Sequence, residues 1–332
     1  MRVGLVTRDY PPRYGGMATY VEALARHLRV LGVEVEVFVG GDDIGTLFLA
    51  RSLSSQDFDV IHVASAPYGG LVSSGKLVVT VYEPVVCEWP YYGWWRKIKG
   101  LFAVRLERQA LKRAMRIIAI SRETKSNLVS HYGLSDENVM VVPLGVDSAN
   151  SGPKRKMSSI PTILMVSRLD RRKNLDEALQ ALAKLESQFR LVVVGGGPER
   201  ERLEHLAHRL GLKAEFVGSV PQGELRRYYG EANIFLSTSK SEGFGLSLLE
   251  AMAHGCAVLA SDIHAHRELV PDSRFGILYN GLDELTERLR VLTIKRNLVE
   301  SLGSAAQELS LRYSWEHTAK ATLAVYDEVA GS

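Results

Sequence analysis

SEGFGLSLLEAMAHG, residues 241–255, sets two carboxylates eight residues apart around an expected helix start. Glu242 stands just before a Gly-Phe-Gly turn, and Glu250 lies inside the helix that should follow. Leu246, Leu249 and Ala253 recur at helical spacing and mark a buried face, and Glu250 falls four after Leu246 on that face. A carboxylate there is costly unless something hydrogen-bonds it. A ribose cis-diol offers two hydroxyl donors. The backbone N–H groups of Gly243, Phe244 and Gly245, at the positive end of a helix dipole, favour a phosphate beside it. A nucleotide-sugar site is one reading. The other makes Glu242 a solvated loop residue and pairs Glu250 with an arginine, as buried charges usually are paired.

Working outward, short β-branched runs alternate with amphipathic stretches along all 332 residues, the pattern of parallel sheets covered by helices on both faces. One set of expected strands is Val3–Thr7, Val33–Val39, Val60–Val63, Leu77–Val81, Arg116–Ile120 and Val139–Val142, with helices such as Met17–Leu31 and Ala103–Met115 between them. A second set is Thr162–Ser167, Leu191–Val194, Ala214–Val217, Ile234–Ser237 and Ala257–Ala260. Between them SANSGPKRKMSSIP, residues 148–161, lacks apolar periodicity and reads as a linker. Residues 283–329 read as three helices broken near Lys295 and Leu311.

Ligands of open α/β sheets sit at the carboxyl ends of strands. Four polar or glycine-rich segments follow expected strands: 13–16, 168–174, 195–198 and 237–245. SRLDRRKN, residues 167–174, directs Arg168 and Lys173 out of a strand-to-helix loop, where a guanidinium fork and an ammonium can meet a diphosphate, or can simply be solvated. PPRYGGMATY puts Gly15 and Gly16 at a strand-to-helix turn, where missing side chains admit a ligand. VVVGGGPERERLEHL, with Gly196 at the middle of its triple glycine, invites a dinucleotide reading, but Arg200 stands where that fingerprint needs a third small residue.

The order Glu-Gly-Phe-Gly, seven residues between the carboxylates, then Ala-Met-Ala and Gly, resembles the E-x7-E motif of the retaining glycosyltransferases of family 4. The 167–174 loop resembles that family's GRLxxxKN loop, with Ser167 in place of its first Gly, and the triple glycine resembles its GxGP turn. VVPLGVD at 141–147, ELVPD at 268–272 and SWEHTAKATLAVYDEV near the end extend the likeness over nearly the whole chain.

The resemblance implies the GT-B fold, two Rossmann-like parallel-sheet α/β domains facing across a cleft. Residues 1–150 would bind the acceptor, with helix 314–332 packing back on them, and residues 160–312 would bind the nucleotide sugar. It implies transfer from a UDP- or GDP-linked sugar to a glycan or lipid-linked hydroxyl by a front-face route, a phosphate oxygen of the leaving group taking the acceptor's proton, without metal. Glu242 would contact the donor sugar, Glu250 the ribose, and Arg168 with Lys173 the departing diphosphate; Gly15, Gly16, Gly196, Gly243, Phe244, Gly245 and Leu246 would line the donor site. Many members end the fourth strand in a His that contacts the reacting centre. VVTVYEP, residues 78–84, puts Tyr82 there, and a phenol with a pKa near 10 can position a sugar or acceptor but is a poor base.

Two readings of other classes stay open, an NAD-dependent oxidoreductase resting on the GGGP turn and a catalytically silent nucleotide-sugar binder resting on Tyr82. Asp57-Phe58-Asp59 precedes a strand, the wrong end for a metal motif, and His254, Cys256, His264 and His266 lack zinc-finger spacing, so no metal is expected. A net charge of +3 gives no case for nucleic acid. Two cysteines far apart suit a reducing cytoplasm. From Trp89 to Arg116 eight Lys or Arg accompany one Glu, with five aromatic rings in the first seven residues, a composition suited to the inner face of an anionic membrane, or to rings packed under a loop beside a wet helix face.

Overall fold

The computed structural model describes residues 1–11, 15–88, 94–147 and 160–331, side chains of 94–99 excepted. Most of the expected linker, the aromatic run 89–93, and Arg13 and Tyr14 of the first glycine-rich loop lie outside the described residues. The chain divides into two compact units, one formed by Met1–Gly145 with Tyr313–Ser332 and the other by Val146–Arg312.

The first unit holds a six-stranded parallel sheet of β1 (Arg2–Thr7), β2 (Glu34–Val39), β3 (Val60–Val63), β4 (Leu77–Val81), β5 (Arg116–Ala119) and β6 (Val139–Val141), in the order β2-β1-β3-β4-β5-β6. Every residue of β3 and β4 is buried, which is why these strands read as unbroken apolar runs instead of alternating ones. The order reverses between β1 and β3. Gly15 and the start of helix Gly16–Val30 follow β1.

Helix Trp315–Ala330 packs against helix Gly16–Val30 and against β3, β4 and β5. Its Trp315 and Tyr326 are buried, and the Tyr326 hydroxyl lies 2.6 Å from Nδ1 of the buried His62 on β3. Nε2 of the same ring meets Thr80 on β4 at 2.7 Å. A polar group inside a sheet is tolerable only when partnered in this way.

The second unit holds β7 (Thr162–Val166), β8 (Arg190–Val194), β9 (Ala214–Gly218), β10 (Ile234–Ser237), β11 (Ala257–Ser261) and β12 (Ile277–Tyr279), all parallel, in the order β12-β11-β10-β7-β8-β9. β12, three residues long, lies outside the expected strands, and the ends of the other eleven fall within a residue of those expected. The chain winds one way from β7 through β9 and the other way from β10 through β12, so the topological switch falls between β7 and β10, where an open α/β sheet offers its ligand crevice. The loops after those two strands are 167–174 and 238–245.

Candidate active site at the switch point of the second unit

The two loops are tied together before any ligand is considered. Thr238 Oγ1 donates to the Lys173 carbonyl at 2.8 Å, and the Lys240 amide donates to the Arg172 carbonyl at 2.8 Å. Across this seam Lys173 Nζ donates to Glu242 Oε1 at 2.6 Å, and Ser239 Oγ donates to the same oxygen at 2.8 Å. The side chains of Lys173 and Glu242 are only 12% and 15% exposed. Burial alone would raise the pKa of Glu242, but Lys173, His266 and Ser239 together hold it below the usual carboxylate range.

The 167–174 loop is shaped from below by the triple glycine. A Cβ on Gly195 would sit 1.9 Å from the Ser167 carbonyl oxygen, and one on Gly197 would sit 2.3 Å from that of Leu169. The Leu169 amide donates to the Gly196 carbonyl at 2.9 Å. These glycines therefore let strand and loop touch, a packing reason that requires no dinucleotide. Asp170 caps the short turn Arg171–Lys173 through the Arg172 amide, and Asn174 follows at φ 49°, the one non-glycine residue with positive φ among those described. The helix that follows begins at Leu175. Arg168, in contrast to Lys173, stands 54% exposed and 3.9 Å from Asp170.

Gly245, at φ 91°, starts helix Leu246–Ala253, and no side chain caps that helix. The Leu248 and Leu249 amides donate to the Gly245 carbonyl, so the N–H groups of Leu246 and Ser247 ahead of them are the ones that can meet an anion. Phe244 is buried, while Leu246 is only half-buried, less enclosed than the helical spacing suggested.

Glu250 is buried, but neutral donors hold it in place of the arginine that the alternative reading required. Tyr229 donates its hydroxyl to Oε2 at 2.8 Å, and Gln222 its amide to Oε1 at 3.0 Å. Burial raises the pKa of Glu250 in spite of them. Gln222 and Tyr229 lie seven apart on helix Gln222–Glu231, hence on one face. That spacing was in the sequence, unread. Thr238 and Ser239 belong to the 237–245 segment that the sequence marks as a whole, and His266 is a further residue of the site without a sequence signal of its own.

In the first unit, Gly15 and Gly16 are exposed, with open space where each Cβ would be. Tyr82 follows β4, meets Tyr20 edge-on with ring centroids 5.7 Å apart, and has a buried hydroxyl without a hydrogen-bond partner among the described residues. Burial raises its pKa well above the ordinary value, so it stays a phenol that can donate a hydrogen bond. Asp57 and Asp59 lie ahead of β3, where Asp59 accepts from the Arg2 amide. Among the described residues no His, Cys, Asp and Glu gather as a metal site.

This fold recurs in known proteins. The glycosyl transferases group 1 pattern matches residues 149–309, and the Glycosyltransferase Family 4 pattern matches residues 44–150. A D-inositol 3-phosphate glycosyltransferase of Streptomyces bingchenggensis is 30% identical, over 95% of this chain and 85% of its own. This chain belongs to the family 4, group 1 glycosyltransferases. The GDP-mannose-dependent alpha-(1-6)-phosphatidylinositol monomannoside mannosyltransferase of Mycobacterium tuberculosis is 25% identical over 95% of this chain and 95% of its own. The Anabaena protein HepE, solved with UDP and glucose, superposes with a TM-score of 0.76 at 20% identity, covering 99% of this glycosyltransferase and 100% of HepE. The fold is GT-B, and the protein is an enzyme of the hexosyltransferase type.

Proposed function

We propose that this glycosyltransferase moves a hexosyl group, with retention of configuration and without metal, from a UDP- or GDP-linked sugar to a hydroxyl acceptor. The observation that carries the reading is the meeting of Lys173 and Glu242 at 2.6 Å, from separate loops, at the switch point of the second sheet. Glu250 stands one helix turn further in, its carboxylate already oriented by hydroxyl and amide donors, the chemistry a ribose diol would extend. The uncapped helix start at Gly245 supplies N–H groups to a phosphate.

In the proposed reaction the bond from the sugar's anomeric carbon to the diphosphate breaks while the acceptor oxygen bonds to the same face of that carbon. A leaving-group phosphate oxygen takes the acceptor's proton. Lys173 and Arg168 meet the charge that grows on the diphosphate, and Glu242 contacts the sugar. Tyr82, held as a phenol, positions sugar or acceptor and moves no proton.

A lipid-linked acceptor is the substrate class we favour. Helix Trp94–Arg113 exposes Leu101 and Phe102 beside Arg105, Arg108 and Lys112, an apolar pair bordered by cations that suits an anionic bilayer surface. The Mycobacterium tuberculosis relative is named for phosphatidylinositol monomannoside. No helix among the described residues is long and apolar enough to cross a membrane. A cytoplasmic, peripheral location belongs to the same proposal, supported by Cys87 and Cys256, which are not joined in a disulfide.

Thermal unfolding with UDP, GDP, ADP and NAD tests the reading. One nucleoside diphosphate at 100 times its Kd should add about 2.7 kcal/mol, and Glu250→Ala should remove that gain. Stabilisation by NAD alone would sink it.

A further inference from the structure

Helix His264–Leu269 follows β11 and buries His266 completely beneath the 237–245 loop. Its Nδ1 lies 2.8 Å from the Ser261 carbonyl oxygen, a group that can only accept, so Nδ1 carries the hydrogen. That leaves Nε2 as an acceptor toward Ser237 Oγ, 3.4 Å away. Ser261 in turn donates its hydroxyl to the Ser239 carbonyl at 2.5 Å. Ser239 completes the chain to Glu242 Oε1 at 2.8 Å. Gly245 passes directly over the ring, since a Cβ there would sit 3.5 Å from His266 Cδ2. The imidazole is thus the floor of the turn that carries Glu242.

We propose that His266 is a positioning residue for the Glu242 carboxylate: a neutral imidazole of fixed tautomer that sets the height of the 237–245 loop and leaves Glu242 to Lys173. The proposal rests on the reading of Glu242 as the residue that contacts the donor sugar. The charged groups that face the ring are Glu242, Lys173 and Asp262. Burial lowers its pKa, outweighing the opposite pull of Glu242. An imidazolium at this place would compete with Lys173 for Glu242 and repel the ammonium, and a neutral ring does neither.

Two substitutions separate positioning from packing. His266→Leu fills the space but donates nothing, whereas His266→Asn keeps a donor where Nδ1 stood. The assay is nucleoside diphosphate release from UDP-glucose and GDP-mannose, with UDP and GDP binding measured alongside. Displacement of the carboxylate by about 1 Å is enough to lower kcat about 100-fold in His266→Leu, with nucleotide Kd unchanged, and His266→Asn should recover most of that loss. In 15N spectra the His266 pKa should fall in Glu242→Gln, because the carboxylate that raises it is gone.

Unchanged kcat in His266→Leu, failure of His266→Asn to recover it, or a His266 pKa indifferent to Glu242→Gln would each overturn the positioning role. Glu242→Ala is the control. Full activity there would sink the proposed function itself, while an inactive Glu242→Ala beside a fully active His266→Leu would sink only the role of His266. If His266→Leu does not fold, the titration on wild type and Glu242→Gln still tests the contact, and an indifferent His266 pKa overturns the role.

Discussion

Lys173 and Glu242 form an ion pair with little water around it, and such a pair is costly to break from one side. Lys173→Ala should lower kcat about 100-fold, more than it weakens nucleotide binding, because the ammonium acts on charge that grows as the diphosphate leaves. Equal losses in both would place Lys173 in ground-state binding only. The same variant should lose roughly 3 kcal/mol of stability at pH 7, since an uncompensated carboxylate stays buried. The sign with pH follows from the depressed pKa of Glu242. Its contribution is present above the unfolded value of 4.5 and is lost as pH falls through the folded value. Urea unfolding should therefore show wild type and Lys173→Ala converging in acid. At this scale the sequence was legible where a residue's own neighbours reveal it, as with Glu242, Glu250 and Lys173. Tyr229, Gln222 and His266 were not, because they reach the site from other helices and become neighbours only through tertiary packing.

Helix Trp94–Arg113 has two faces with different demands. On its buried face Glu107 accepts from the Val85 amide at 3.0 Å and from the Tyr132 hydroxyl, and burial pushes its pKa up to about 7. A raised carboxyl pKa stabilises the fold fully below the unfolded value of 4.5, and that contribution is lost as pH rises through 7. Glu107→Gln keeps an acceptor without the charge. It should stabilise the protein by up to roughly 3 kcal/mol at pH 8 and leave it almost unchanged at pH 5, as read by denaturant midpoints. On the exposed face, Arg105→Glu with Arg108→Glu should abolish flotation with phosphatidylglycerol vesicles at low salt. Equal flotation of wild type and variant would remove the membrane proposal. Long strands such as β4 were legible because burial on both faces leaves an unmistakable apolar run. β12, only Ile277–Tyr279, and the single turn Val85–Glu88 are too short to show a period, and the equally short β6 was readable only within the four-residue apolar run Val139–Val142.

Each six-stranded sheet has its own buried core, and the complete switch point, with Lys173, Glu242, Glu250 and His266, belongs to the second unit. Residues 146–312 alone should fold and keep the thermal shift with a nucleoside diphosphate. Loss of that shift in a folded fragment would mean that the first unit supplies part of the nucleotide site. The fold class was readable from the alternation of strand and helix patterns. The strand orders were not, because parallel neighbours far apart in sequence leave no local signal.

The helix Trp315–Ala330 completes the covering of the first sheet, although the whole second unit precedes it in the chain. A ribosome must therefore deliver residues 146–312 before the first unit can close over His62. Domains emerging from the ribosome ordinarily finish in the order of their synthesis. Here the later unit can mature first, and the earlier one waits, with Thr80 and His62 lacking the Tyr326 end of their hydrogen-bond chain, until the returning helix arrives.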